Sequence, residues 1–146
     1  MNIATRLAGT EIIIIDGAMG TELQRRGVPL NREIWSAAAL LSHPHLVREI
    51  HVDYIHAGAE IQIAATYNTA PHVIYPSSLD TTSRELTETA LRLVREGIDV
   101  AQPAHPVWIA GSISTTVESR RKEMLDISML RDSYTAVSYT HLTLPT

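Results

Sequence analysis

The sequence predicts an α/β protein built on a parallel sheet, because three short apolar runs alternate with helical patterns. The runs are IIII at residues 12–15, EIQIAATY at residues 60–67 and VWIAGSI at residues 107–113. An amphipathic segment lies between each run and the next. This alternation implies right-handed βαβ crossovers and a parallel sheet. A doubly wound sheet and a TIM barrel both satisfy the order.

The first run predicts a strand that is buried on both faces. Residues 12–15 are four consecutive isoleucines, and continuous β-branched runs are typical of central strands in parallel sheets. The second run has alanine at positions 64 and 65, where a neighbouring element can approach closely. All three runs end in small or polar residues, so we expect polar chemistry at their carboxyl ends.

Helix boundaries are marked by capping residues. Ser42 predicts an N-cap with Pro44 in the first turn, and Gly58 predicts the end of that helix. Thr82 and Glu85 have the spacing of a capping box for the next helix. Asp126 predicts the cap of a third helix. The intervening stretch over residues 67–83 is long and holds two prolines, which is typical of a functional loop.

The end of the chain differs from the rest. After Ala136 the helical pattern gives way to VSYTHLTLPT, which is rich in threonine and resembles a translated sequencing-adaptor sequence. We therefore predict one domain over residues 1–136 and a non-native tail over residues 137–146. A frayed natural tail is the alternative interpretation.

Composition excludes several classes of partner. The formal net charge is −4, and the longest basic run is the three residues at 120–122, so we expect neither nucleic acid nor an anionic membrane as a partner. No window approaches the roughly 20 apolar residues of a membrane helix, and no signal-peptide pattern occurs. We expect a cytoplasmic protein. The sequence contains no cysteine, which excludes disulfides and thiolate-bound metal within this chain.

The stretch DGAMGT at residues 16–21 is the candidate binding site. Glycines there permit positive φ and let a ligand approach the main-chain N–H groups, which can bind a carboxylate or a phosphate. Asp16 beside them would attract a cation, so the pair suits a zwitterion. The alternative is a tight turn in which Asp16 caps the following helix. The glycine spacing does not match a dinucleotide-binding fingerprint.

Four segments together resemble the homocysteine S-methyltransferase family over about residues 11–136. They are DGAMGTELQRRG at 16–27, Trp35, HPHLVREIHVDYIHAGAEIQIAATYNTA at 43–70, and VWIAGSI at 107–113. The resemblance implies a TIM (β/α)8 barrel, of which this chain would hold the first three βα units. A complete barrel has eight strands and typically about 250 residues.

The resemblance also implies a reaction and a site. Family members transfer a methyl group from a donor such as S-methylmethionine or betaine to the thiol of homocysteine, giving methionine, with zinc held by three cysteines. Asp16 would bind the substrate ammonium group, and the Gly17 and Ala18 amides would bind its carboxylate. Thr66 and Tyr67, at the end of the second strand, would line the same pocket, although Tyr67 suits a packing role equally well. Because cysteine is absent, we assign no metal ligand and no catalytic residue.

Two other functions remain open at this point. One is a non-catalytic amino-acid-binding barrel protein, and the other is a TIM-barrel or doubly wound enzyme whose glycine turn holds phosphate. The histidines show no metal-binding spacing such as H-E-x-x-H. We expect His51 to pack within a helix, and Trp35 and Trp108 to lie in the core.

Overall fold

The structure is a computed structural model that describes residues 2–30, 34–113 and 126–143. Two parallel strands, β1 (Ile61–Ile63) and β2 (Trp108–Ala110), form its sheet. The helices are α1 (Ile3–Leu7), α2 (Met19–Arg25), α3 (Ala39–Ser42), α4 (Pro44–His56), α5 (Pro71–Ile74), α6 (Ser83–Ala101) and α7 (Ile127–Thr143), with a 3₁₀ turn at Ser36–Ala38.

The sheet confirms the predicted parallel order. β1 pairs with β2 so that Ile61 lies opposite Trp108 and Ile63 opposite Ala110. On the other side of β1, Ile15 forms an isolated parallel bridge with Ile61. The helix α4 therefore connects the first extended segment to β1, and α6 connects β1 to β2. Each strand is three residues long, which is shorter than the apolar run that predicted it.

The prediction that residues 12–15 are buried on both faces is wrong. Ile12 is 85% exposed, and Ile14 and Ile15 are each about half exposed. The segment runs beside β1, where Glu60 N–H donates to the Ile14 carbonyl at 2.7 Å. Among the described residues this segment has a strand neighbour along one edge only. A β-branched run is buried on both faces only where neighbouring elements cover both.

Helix α4 begins one residue later than predicted. Its N-cap is His43, with Pro44 at the first helical position, where the missing N–H costs nothing. Ser42 instead ends α3, and its hydroxyl donates to the Ala38 carbonyl at 3.0 Å. The end at Gly58 is confirmed: this glycine has φ +101°, and Ala59 N–H donates back to the Tyr54 carbonyl, as in a Schellman motif.

The predicted capping box of α6 is confirmed. Glu85 N–H donates to the Thr82 hydroxyl, and Thr82 N–H donates to the Glu85 carboxylate at 2.8 Å. The helix carries an apolar face that packs on α4 and α7, and its Leu91 and Val94 cluster with Ile109 of β2. The largest fully buried apolar side chains are Leu23, Ile34, Leu40, Val47, Ile50, Ile74, Leu86, Leu93 and Val94.

The stretch over residues 67–83 is not an open loop. It contains α5, in which Val73 and Ile74 are buried in the core. The His72 ring lies 2.7 Å from the Ser133 hydroxyl of α7. The segment is therefore a packing element that joins the body of the domain to α7.

Helix α7 continues past the predicted end at Ala136. Asp126 caps it, because its carboxylate accepts a hydrogen bond from Ser128 N–H at 2.8 Å, and the helix extends to Thr143. Val137 is 2% exposed and belongs to the core. The non-native origin of residues 137–146 stays a prediction. Within the described residues, no helix is long and apolar enough to cross a membrane.

Gly97 allows α6 to lie close to α4. A Cβ atom at this position would stand 3.1 Å from His51 Cβ and 3.3 Å from the Arg48 carbonyl oxygen. Both atoms belong to or adjoin the α4 backbone, so they can move only if that helix moves. A glycine inside a helix costs about 1 kcal/mol relative to alanine, and here the close approach of two helices offsets that cost.

We predict that Gly97→Ala lowers the free energy of unfolding by about 1–3 kcal/mol, because overpacking outweighs the gain in helix propensity. Urea denaturation monitored by circular dichroism would measure the change. Asp99→Ala is the matched control, since Asp99 lies exposed in the same helix and this change improves propensity without steric conflict. Equal stabilisation by both substitutions would contradict the prediction.

Candidate functional site

Asp16 is fixed to β1 by its main chain and by its side chain. Its N–H donates to the Ile61 carbonyl at 2.9 Å, and its carboxylate oxygen Oδ2 accepts a hydrogen bond from Ile63 N–H at 2.9 Å. The side chain is only 2% exposed. The alternative in which Asp16 caps the following helix is wrong, because α2 has Ala18 at its N-cap and no side-chain cap.

The electrostatic setting of Asp16 disfavours its charge. Burial raises the pKa of Asp16 from 3.8 to about 6, although hydrogen bonds from the N–H groups of Ile63 and of Asp16 itself oppose the rise. His51 Nδ1 lies 3.9 Å from Oδ2, and burial lowers the pKa of this imidazole, which favours its neutral form. Among the described residues no arginine forms an ion pair with Asp16. The carboxylate therefore lacks a charged partner within the described protein.

Tyr54 and Trp35 cover the turn that follows Asp16. A Cβ atom on Gly17 would stand 2.7 Å from the Tyr54 hydroxyl, and one on Gly20 would stand 2.2 Å from Trp35 Nε1. Neither glycine has a positive φ, so the prediction that they supply a positive φ is wrong. Two aromatic rings instead occupy the space that a Cβ atom would take at these positions.

Trp35 does not lie in the core as predicted. It is 46% exposed and has φ +45°, a backbone conformation that is uncommon outside glycine. Its indole lies against Gly20 at the surface of the turn. Tyr54 is held more deeply, and burial, followed by the negative charges of Glu22 and Asp16, raises the pKa of its hydroxyl.

The main-chain amides of Gly17 and Ala18 remain available to a ligand. Both residues are exposed, and no carbonyl among the described residues accepts a hydrogen bond from either N–H group. Hydrogen bonds from such amides to a charged acceptor contribute roughly 1.5–3 kcal/mol each. The turn thus presents two donors beside a carboxylate.

Thr66 and Tyr67 follow β1 and have different surroundings. Thr66 is 1% exposed; its hydroxyl donates to the Ser112 carbonyl at 2.9 Å and accepts from Ser112 N–H at 3.0 Å. This pair of bonds joins the carboxyl ends of β1 and β2. Tyr67 is 50% exposed, so its ring is open to a ligand. A substrate-binding role for these two residues stays a prediction.

Sequence reasoning missed a polar partner of His51. This histidine is fully buried in α4, as expected for a helix-packing residue, but its Nδ1 lies 2.9 Å from Oε1 of Gln62. Gln62 is also fully buried and lies on β1 between the two residues that bind Asp16. The signal for it was an amide side chain inside an otherwise apolar run.

A zinc site of the kind that the resemblance implies does not fit this chain. The sequence contains no cysteine. Among the residues that the structure describes, no three histidine, aspartate or glutamate side chains come together as a metal site.

The fold and the candidate site define an α/β protein with a polar turn at the carboxyl ends of parallel strands, the position where such folds bind small molecules. A finer assignment comes from comparison with known proteins. The chain belongs to the homocysteine S-methyltransferase family, whose sequence profile matches residues 13–143.

Relatives with known names support this assignment. The homocysteine S-methyltransferase of Escherichia coli K12 is 36% identical over 108 residues, which are 70% of this chain and 35% of the relative. The selenocysteine methyltransferase of Astragalus bisulcatus is 40% identical over 95 residues, which are 65% of this chain and 26% of the relative. The chain thus spans about a third of the length of these relatives.

A solved structure matches the fold. The metallated form of the homocysteine methyltransferase MmuM from E. coli superimposes with a TM-score of 0.81 and 28% identity. The match covers 96% of this chain and 53% of that chain. The chain therefore corresponds to about half of that enzyme.

We predict that Asp16→Asn raises the free energy of unfolding at pH 7 by about 1–3 kcal/mol, since a pKa shift of one unit corresponds to 1.36 kcal/mol. Because the pKa of Asp16 is about 6 in the folded protein and 3.8 without burial, the folded state binds this proton more tightly. The contribution of the protonated Asp16 carboxyl to the free energy of unfolding is therefore complete below about pH 4 and is lost as the pH rises through about 6. Asparagine keeps an oxygen for Ile63 N–H and carries no charge.

Urea denaturation at pH 4.5 and pH 7 would check this expectation. Comparison of the two proteins at each pH cancels the titration of the other carboxylates. The unaltered protein should lose more stability than Asp16→Asn between pH 4.5 and pH 7. If both proteins lose the same amount, the raised pKa does not belong to Asp16.

Proposed function

We propose that the chain is the N-terminal part of a zinc-dependent homocysteine S-methyltransferase, which transfers a methyl group from a donor such as S-methylmethionine or betaine to the thiol of homocysteine. The match of the family profile to residues 13–143 carries this proposal. We further propose that the chain forms the first three βα units of a TIM barrel. The parallel order of the segment at Ile15, β1 and β2 supports this, as does the 53% coverage of the E. coli enzyme.

In this proposal Asp16, Gly17 and Ala18 bind the amino-acid end of homocysteine. The amides of Gly17 and Ala18 donate to the substrate carboxylate, and Asp16 binds the substrate ammonium group. Oδ1 of Asp16 has no hydrogen-bond partner among the described residues, so it can accept from the ammonium group. Because the Asp16 side chain is 2% exposed, we expect the turn to open locally when the ligand binds.

Thr66 and Tyr67 complete the proposed pocket in different ways. The half-exposed ring of Tyr67 provides a wall for the ligand. Thr66 keeps that wall in place through its two hydrogen bonds to Ser112.

The zinc ion and the groups that activate the thiol are assigned to polypeptide outside this chain. The chain has no cysteine, so we derive no catalytic step from its residues. Its own contribution is recognition of the amino acid.

A second function is a non-catalytic amino-acid-binding protein, which the absence of cysteine favours. The genomic reading frame separates the two. A frame that continues beyond this sequence and encodes a Gly-Gly-Cys-Cys-like stretch supports the methyltransferase. A stop codon near position 136 supports the binding protein.

We predict that the chain binds L-homocysteine more tightly than 4-mercaptobutyrate, which lacks the amino group. The ratio of the two dissociation constants should be about tenfold, the equivalent of roughly one charge-assisted hydrogen bond. Isothermal titration calorimetry at pH 7.5 would measure both constants. Asp16→Asn should abolish the difference, whereas Thr87→Val, a buried change in α6, should leave it intact.

Inorganic phosphate serves as the competing ligand in the same assay. Tighter binding of phosphate than of homocysteine would overturn the amino-acid assignment. Methyl transfer by this chain without any added protein would overturn the assignment of the zinc chemistry to other polypeptide.

A further inference from the structure

A buried polar cluster lies behind the proposed binding turn. It consists of Asp16, His51 of α4 and Gln62 of β1, and each of these side chains is at most 2% exposed. His51 Nδ1 lies 2.9 Å from Gln62 Oε1 and 3.9 Å from Asp16 Oδ2. Three polar atoms of the cluster have no hydrogen-bond partner among the described residues: Asp16 Oδ1, His51 Nε2 and Gln62 Nε2.

The hydrogen bond to Gln62 fixes the tautomer of His51. Because an amide oxygen can only accept a hydrogen bond, His51 Nδ1 carries the proton, and this N–H group donates a hydrogen bond to Gln62 Oε1. Nδ1 also lies 3.9 Å from Asp16 Oδ2, which is beyond hydrogen-bond distance, while Oδ2 accepts a hydrogen bond from Ile63 N–H. Oδ2 is thus held by one hydrogen bond, with the polar edge of the imidazole beside it, and Oδ1 is the oxygen that remains for another donor.

Stability alone gives no reason for this cluster. Buried polar atoms without partners lose their hydration, and replacing such partners with apolar groups of the same shape is often neutral or stabilising. Helix α6 also packs tightly against His51, because a Cβ atom at Gly97 would stand only 3.1 Å from His51 Cβ. The ring is therefore fixed in one place, directly behind the carboxylate.

We propose that His51 and Gln62 are positioning residues for Asp16, which hold Oδ2 so that Oδ1 faces the ammonium group of an amino-acid ligand. Gln62 orients the imidazole, and the polar edge of the imidazole, 3.9 Å from Oδ2, orients the carboxylate electrostatically; neither residue contacts the ligand. This inference rests on the proposed function, because it takes Asp16 as the ammonium-binding group.

The test uses the full 146-residue chain and compares dissociation constants for L-homocysteine and 4-mercaptobutyrate. His51→Leu removes the N–H group and should abolish most of the roughly tenfold preference for homocysteine. His51→Asn places an amide N–H near the position of Nδ1 and should restore most of the preference. Gln62→Met removes the acceptor at similar volume and should reduce the preference in the same direction, and it carries the test if His51→Leu does not fold.

Thr87→Val is the control for a general loss of core packing. The Thr87 hydroxyl is buried and bonds to Thr69 at 2.8 Å and to the Ser83 carbonyl. This variant should lower the thermal midpoint without changing the ratio of the two constants.

Each result has a definite meaning. A preference for homocysteine that survives in His51→Leu and Gln62→Met overturns the positioning role, as does an equal loss of affinity for both ligands. If the unaltered chain shows no preference between the two ligands, the proposed ammonium site itself is wrong. A selective loss with rescue by His51→Asn supports the positioning role.

Discussion

The hydrogen bond from Ile63 N–H to the Asp16 carboxylate fixes the opening segment of the chain against β1 at its carboxyl end. At the other end Arg6 makes a two-pronged contact with Glu60, at 3.0 Å for each nitrogen–oxygen pair, and also donates to the Ile12 carbonyl. A shift of the segment by one residue would break both attachments and turn Asp16 to the opposite face. The position of the turn that follows Asp16 therefore depends on contacts at both ends of one strand pair.

The features of the fold that local chemistry determines could be predicted from the sequence. Pro44, Gly58 and the Thr82–Glu85 capping box each act within one turn of the helix that they begin or end, so their effect is visible in a short window. Ser42 was misassigned because its hydroxyl bonds back to the preceding helix instead of forward. The extent of α7 was missed because Val137 is buried by tertiary packing, which overrides a weak local helix preference.

For the candidate site, the sequence indicates which residues are polar but not what surrounds them. Gly17 and Gly20 were correctly singled out, yet the reason for each is an aromatic ring from a distant position, Tyr54 or Trp35. In the same way, His51 was expected to be a packing residue, and its partner Gln62 lies eleven positions away on another element. Contacts of this kind arise only when α4 is laid against β1, and no periodicity encodes them.

The energetic cost of a charge at Asp16 is the strongest reason to regard the turn as a binding site. An asparagine could accept the hydrogen bond from Ile63 N–H equally well, so charge is the property that aspartate adds at this position. Burial makes that charge unfavourable, as the rise of the Asp16 pKa to about 6 indicates. The cost is about 1–3 kcal/mol for a shift of this size, a considerable fraction of the 5–15 kcal/mol that typically stabilises a folded domain. No arginine among the described residues offsets it, whereas a bound ammonium group would. The main-chain donors at Gly17 and Ala18 would then bind the opposite charge of the same molecule, which is the arrangement that an amino acid requires.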